Sequence, residues 1–236
     1  MPPRRAPAIA SLAFAVLFLP AGAPAAAAQS PIPDVIPLYP LPAAALFPNA
    51  SQSLLIVEPQ YKAMVADALK GPGVIGLIAL VPGAAAGPGD QPAVVAIGCA
   101  GAIFAHEELP DGRISIVLAG LAKFRILAEE GGRPYRQARV MALPEVAQDD
   151  ELRPLADARK RIDDLLSASR PRLDIALPPA DAPDEAVVDV LALHVPMSAG
   201  DRQRLLEEVG SLARATALVR LLQQMLAAPP GGAQPR

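Results

Sequence analysis

Prolines punctuate residues 36–69, IPLYPLPAAALFPNASQSLLIVEPQYKAMVADAL, too closely for a regular helix or an ordinary interior strand. Proline fixes φ and has no backbone donor. Pro37, Pro40, Pro42 and Pro48 therefore confine their segments to edge strands and turns. The spacing predicts short apolar strands before Pro48, a tight turn at Pro48-Asn49, a strand over 54–57 and a helix opening at Glu58-Pro59. Pro59 suits a first helical position, where no hydrogen-bond donor is needed. The rest of the chain reads as completing the sheet and core that this stretch begins.

At 236 residues and 52 % hydrophobic, the chain can bury a sizeable core, but aromatics supply only 3 %. Val, Ile, Leu and Ala must build it. Residues 1–30 carry the pattern of an export signal: Arg4 and Arg5, an apolar run over 8–19, breakers at Pro20 and Gly22, then Ala26-Ala27-Ala28 before Gln29. The apolar run is shorter than the about 20 residues a bilayer needs. No stable membrane insertion is expected after cleavage, and the location expected is periplasmic or secreted. Loss of Arg4 and Arg5 would move the net charge from −3 to −5, 19 basic residues against 24 acidic. Such a balance gives no general attraction for nucleic acid or anionic lipid. Cys99, the one cysteine, excludes an intrachain disulfide. It shares strand parity with Val95, Ile97 and Ile103 and reads as a buried apolar residue.

Residues 1–28 are thus read as a signal, 29–35 as a leader, 36–145 as a β unit, 150–228 as a helical unit and 229–236 as a flexible tail. In the β unit, Tyr61, Met64, Val65 and Ala68 form one apolar face of a helix over 59–69, which Lys70 and Gly71 close. The continuous apolar run 74–81 is a buried strand, and 82–92 a mobile Gly/Pro/Ala loop. A long strand follows over 93–106, with Gly98 and Gly101 marking bulges or close backbone approach. Pro110-Asp111-Gly112 is a turn. Beyond it, Ile114, Ile116 and Leu118 alternate with Arg113, Ser115 and Val117. Gly120 interrupts that run, Phe124 and Ile126 resume it, and 135–143 completes the sheet. Six or so strands with bent hairpins and one early helix suggest a closed or half-closed barrel. After 144–150 the period becomes helical. Leu155, Ala158, Ile162, Leu165 and Leu166 mark a helix over 151–169, 171–183 is a connector, and 184–194 is a short helix ended by Val195-Pro196. Ser198 caps a last helix whose seam is Leu205, Val209, Leu212, Val219, Leu222 and Leu226. The fold class is α+β.

Catalytic and cofactor motifs fail on context. Gly71-Pro72-Gly73-Val74-Ile75-Gly76 spells GxGxxG, but a dinucleotide site needs strand, loop, helix, and here a helix precedes and a strand follows. No phosphate-binding GxxxxGK[ST] loop occurs. His106-Glu107-Glu108-Leu109-Pro110 has Pro110 where a zinc helix needs its second histidine. With only His106 and His194, no metal site is expected. His194 shares a face with Val187, Val190 and Leu191 and reads as a packed or cap-forming residue. Ser198, in Pro196-Met197-Ser198-Ala199-Gly200, fits a helix cap better than a nucleophile elbow. None of Lys62, Lys70, Lys123 and Lys160 stands three residues after a serine. Arg133, Arg136 and Arg139 read as a solvated cluster. No catalytic residue, metal or cofactor is assigned.

The order of motifs resembles the N-terminal, substrate-binding domain of Lon proteases over roughly residues 36–226. The resemblance rests on the PLYPL opening, Leu46-Phe47-Pro48 and Glu58-Pro59-Gln60-Tyr61. It continues through Ile75-Gly76-Leu77, 97–101 (IGCAG), 109–113 (LPDGR), Leu118-Ala119-Gly120-Leu121, 123–126 (KFRI), Pro134-Tyr135-Arg136 and Val195-Pro196-Met197-Ser198. It implies a mainly-β, PUA-like pseudo-barrel followed by a C-terminal helical subdomain, as a stand-alone member with no ATPase or peptidase part. The implied function is non-catalytic binding of unfolded or degron-bearing polypeptide, chaperone- or adaptor-like in the periplasm, with a protease among the partners it admits. Leu38, Tyr39, Glu58 and Tyr61 are the candidate peptide contacts, and the proline-rich 37–48 segment the candidate edge for an added strand. Gln60 stands where the family usually has Arg, and Val57 where Phe is common. The alternative is a small hydrolase or ligand-binding barrel using Glu58, Glu107, Glu108 or Asp111, carboxylates that turns and strand ends also explain.

Overall fold

A computed structural model describes residues 32–84, 92–143, 145, 148–169, 179 and 181–227. The segment read as an export signal, residues 29–31 of the leader, the 85–91 part of the loop, residues 171–178 and 180 of the connector and the tail lie outside the described residues. The strands are β1 (Val35–Leu41), β2 (Ser51–Ile56), β3 (Val74–Ala79), β4 (Ile97–Glu108), β5 (Ile114–Glu130) and β6 (Gln137–Ala142). The helices are α1 (Pro59–Lys70), α2 (Leu152–Ser169), α3 (Asp184–His194), α4 (Ala199–Glu207) and α5 (Gly210–Ala227). The α+β class expected from the sequence is the one observed.

The strands form one sheet in the order β2-β5-β4-β3-β1-β6, and a further β5–β6 pairing closes it into a barrel. β5 is the spine. Its first part pairs with β2, its second with β6, and β4 runs beside it through most of its length. The proline-rich β1 is not an edge, which corrects the expectation for this segment. It lies between β3 and β6 but pairs with them in succession, with β6 over Val35–Pro37 and with β3 over Leu38–Leu41. Each proline thus has a ladder partner on one side only, and the missing donors fall where no bond is required. Among the described residues the open edge is β2, which is bonded to β5 alone.

β3 is buried along its whole length because it has a core on each face. Val74 and Ile78 join Ile36, Leu38, Phe124 and Val140 inside the barrel. Ile75 and Leu77 join a second core with Tyr39, Cys99, the Met64, Val65 and Ala68 stripe of α1, and the helices that follow the barrel. Cys99 is fully buried, and that burial pushes its thiol far up. Glu58 is the extended N-cap of α1 and Pro59 its first residue. Gly73 rather than Gly71 takes the left-handed turn after α1, with φ 71 and its N–H donating to the Ala68 carbonyl at 2.9 Å. Gly98 and Gly101 behave as expected: a Cβ on Gly98 would lie 2.6 Å from the Leu77 carbonyl oxygen, and Gly101 sits at a register shift.

The last helix expected from the sequence is two helices. Glu208 ends α4, Gly210 takes φ 81, and Val209, expected in the seam, is 83 % exposed. The break lets the Lys123 amine donate to the Glu208 carbonyl. It also redirects α5 so that Ser211, Arg214, Ala215, Leu218 and Leu222 face inward. Ser198 caps α4 as expected, accepting from the Asp201 N–H at 3.0 Å.

A buried charge cluster joins helices to barrel. Arg214 on α5 donates to Asp189 on α3, to Glu145 at 2.6 Å and to the Leu205 carbonyl at 3.2 Å. Its guanidinium also lies 5.5 Å from the centre of the Phe47 ring. Lys123 on β5 pairs with Glu145 at 2.5 Å. Asn49, the one non-glycine with positive φ among the described residues, donates to Asp189 at 2.9 Å. The same turn presses on β5. The Gly120 N–H donates to the Ala50 carbonyl at 2.8 Å, and a Cβ on Gly120 would lie 2.0 Å from the Phe47 carbonyl oxygen.

Two substitutions test this framework in urea unfolding. Gly120→Ala should cost about 3 kcal/mol or more, because backbone must move to admit the methyl group. Gly131→Ala, where a Cβ meets nothing within 4 Å, should change little. Arg214→Met should cost about 3–5 kcal/mol by stranding two buried carboxylates. Making Lys123, Glu145, Asp189 and Arg214 all apolar should recover part of that loss. If Arg214→Met leaves the urea midpoint unchanged, the cluster does not hold the helices to the barrel.

Candidate functional site

The chain has three tyrosines and no tryptophan, and the fold gathers all three at the junction of β1, α1 and the start of β6. Tyr39 comes from β1, Tyr61 from the first turn of α1, and Tyr135 from the turn before β6. The Tyr39 and Tyr61 rings meet edge to face with centroids 4.6 Å apart. Tyr135 donates its hydroxyl to Asp67 at 2.9 Å, and Arg133 donates to the same carboxylate at 3.0 Å.

Two shallow recesses flank Tyr135. One, of about 150 Å³, is lined by Pro40, Gln60, Tyr61, Pro92, Pro134 and Arg136 with Tyr135. The other, of about 160 Å³, lies toward Val35, Pro37, Asp67 and Pro72. Both fall well below the roughly 300 Å³ at which small-molecule sites begin, and each is large enough for one side chain. Arg136 is already engaged. It holds Glu129 through two bonds of 2.7 and 3.0 Å and donates to the Pro92 carbonyl at 2.5 Å. Arg139 pairs with Glu130 at 2.8 Å. Arg133 and Arg139 are thus solvated and paired, as expected from the sequence, whereas Arg136 is paired but its side chain is only 10 % exposed.

Of the four candidate contacts, the structure brings three together, although Tyr39 is itself a core residue at 5 % exposure. Tyr39 and Tyr61 touch, and Glu58 is close enough to help hold both hydroxyls above their ordinary value. Leu38 does not join them. It is fully buried inside the barrel and presents nothing to a ligand. Sequence reasoning missed Tyr135, Pro92 and Pro134. Pro134 and Tyr135 stood in the sequence only as part of the Pro134-Tyr135-Arg136 motif, and the meeting of the three depends on the β1–β6 pairing.

Val57 and Glu58 connect this face directly to β2, whose outer edge meets no other described strand. Leu55 and Val57 there are 43 % and 50 % exposed. Asp111 is bound to Arg113 at the hairpin turn, and no group of three or more potential metal ligands occurs among the described residues.

The family model described as the ATP-dependent protease La (LON) substrate-binding domain matches residues 35–224. Among curated proteins, a Lon protease of Anaeromyxobacter dehalogenans is 26 % identical over 208 residues, covering 86 % of this chain and 25 % of that protein. One from Cytophaga hutchinsonii is 24 % identical over 199 residues, covering 81 % and 24 %. The chain thus spans about a quarter of the length of these relatives. Among solved structures, the N-terminal domain of a Mycobacterium avium complex Lon protease superposes with a TM-score of 0.61 at 15 % identity, over 80 % of this chain and 98 % of that one. A Lon N-terminal domain protein from Xanthomonas campestris superposes with 0.55 at 21 % identity, over 83 % and 99 %. These superpositions carry the fold.

The tyrosines give a clean optical test of the site. Burial is the first cause raising all three hydroxyls. Glu58 adds to it at Tyr39, the Asp67 bond adds to it at Tyr135, and a Gln60 hydrogen bond opposes it at Tyr61. A folded value above the unfolded one means stability fully present below about pH 10 and lost as pH rises through the folded values. Ultraviolet titration of the folded protein should therefore give tyrosinate at higher pH than titration in urea. Coincident curves would show that the three rings are not gathered out of water.

Proposed function

We propose that this chain, which belongs to the ATP-dependent protease La (LON) substrate-binding domain family, is a polypeptide-binding module that does no chemistry on what it holds. The observation that carries the reading is the match over residues 35–224 to a domain described by substrate binding. The surface is compatible with it. Shallow recesses of one-side-chain size beside tyrosine and proline suit an extended chain better than a small metabolite. Polypeptide is bound in extended form, with single apolar side chains seated against Tyr61 and Tyr135 and with unfolded or degron-bearing segments as the natural guests.

The n-, h- and c-region pattern of residues 1–30 supports placing the protein in the periplasm, where it acts as a chaperone or adaptor and where a protease is a natural recipient of its clients. Intact-mass measurement of the exported protein tests the location: a mature chain beginning near Gln29 is expected, and a cytosolic chain retaining Met1 would contradict it.

For the activity, the protein should retain a permanently unfolded, alkylated polypeptide on a sizing column and return it uncut. Tyr61→Ala should weaken that retention about tenfold, the loss expected for one aromatic anchor. Cleavage of the client by the purified protein, abolished by a single carboxylate substitution, would overturn the reading.

A further inference from the structure

β2 is an edge without the usual protection. Sheet edges are commonly blunted by proline, lysine, bulges or an overlying element. Ser51–Ile56 contains no proline and no charged residue, and no bulge interrupts its register with β5. Pro48 and Pro59 bracket the strand without entering it. Among the described residues, its only ladder partner is β5. Leu54 and Ile56 turn to the core side, while Ser51, Ser53 and Leu55 point out, and Val57 follows them exposed.

The charge around this edge is predominantly negative. Glu58 follows the strand directly. Glu107 shares the Leu55 row across β5, through Ser115, and Glu108 shares the Ile56 row through Ile114. All three carboxylates are exposed, and none is ion-paired among the described residues. Asp111 at the hairpin turn is matched by Arg113, and the Lys62 amine is tied to the Gly112 carbonyl. Four carboxylates therefore face two cations, one of them already in an ion pair. At physiological salt, screening over about 8 Å leaves Glu58 as the local contact, and Glu107 and Glu108 act mainly in steering.

Resting on the polypeptide-binding reading above, we propose that the β2 edge receives an extended guest strand in which apolar residues alternate with lysine or arginine. The guest backbone pairs with the outer edge of Ser51–Ile56. Its apolar side chains lie beside Leu55 and Val57, and a cationic side chain reaches Glu58 at the strand's end. An anionic segment of equal hydrophobicity meets the same backbone and is repelled.

The test uses the full chain and fluorescence anisotropy with short peptides in which valine alternates with lysine, with glutamate or with serine. The lysine peptide should bind about tenfold tighter than the glutamate one, a gap that narrows as salt is added. N-methylation of alternate residues, which removes the donors of one peptide edge, should abolish binding. Glu58→Lys should reverse the order of the charged peptides, and Leu55→Lys should weaken the lysine and serine peptides alike. Both positions are exposed, and the N-methylation arm needs no variant. Retention of unfolded polypeptide with no dependence on peptide charge or N-methylation would overturn the edge proposal and leave the binding module standing. Failure to retain any unfolded polypeptide would overturn both.

Discussion

Four charges from β5, the segment after β6, α3 and α5 meet where almost no water reaches, and each finds its partner among the others. Removing such ions from water costs several kcal/mol apiece, which only close pairing offsets. Burial pushes Asp189 up to about 6, and burial followed by the Arg214 charge pushes Lys123 down to about 8. Pairing opposes both shifts: Arg214 lowers Asp189, and Asp189 raises Lys123. Such a cluster adds little net stability over a well-packed apolar one. What it adds is selectivity, because any other seating of the helices on the barrel strands at least one buried charge. The apolar core that runs from Met64 and Leu77 to Leu191 and Leu222 would tolerate a sliding fit far better.

The barrel's use of proline follows from a different economy of donors. Pro37 and Pro40 stand in an interior strand, and this is possible because β1 changes neighbour between residues 37 and 38. The strand that does lie at the edge, β2, carries no proline at all. Proline content alone therefore points to the wrong strand. What matters is which side of each proline faces a partner, and that is a property of the closed sheet.

The same distinction separates what was legible in the sequence from what was not. α1, β3 and α3 could be read because their signals are local: Pro59 at a helix start, an unbroken apolar run, and a Val-Pro stop. The two-core burial of β3 explains why alternation was absent there. The break at Gly210 was hidden, because Val209 keeps helical apolar spacing and only the Lys123 contact with the Glu208 carbonyl gives the break its place. No local pattern singles out Asp189, Arg214 or Glu145 in the sequence. Their partners are 25, 69 and, for Asn49 to Asp189, 140 residues apart in the chain. Three of the four candidate contacts, Tyr39, Glu58 and Tyr61, gather on one face, while Leu38 fails on strand parity: neighbours on a strand face opposite sides.

β5 and the turn before β2 connect the buried cluster to the open edge. Lys123 fixes the second part of β5, and β2 is hydrogen-bonded to the first. Asn49 reaches from the turn to Asp189, and Gly120 takes the turn's backbone against β5. The edge strand is therefore fixed at its start by the contacts that seat the helices. A guest strand spends binding free energy on ordering itself and on ordering its receptor, and here the second cost is already met by the fold. A loosened cluster should then weaken binding at β2 without touching any residue of the edge. In the proposed strand addition the helices after the barrel would contribute to recognition even though none of them needs to meet the guest.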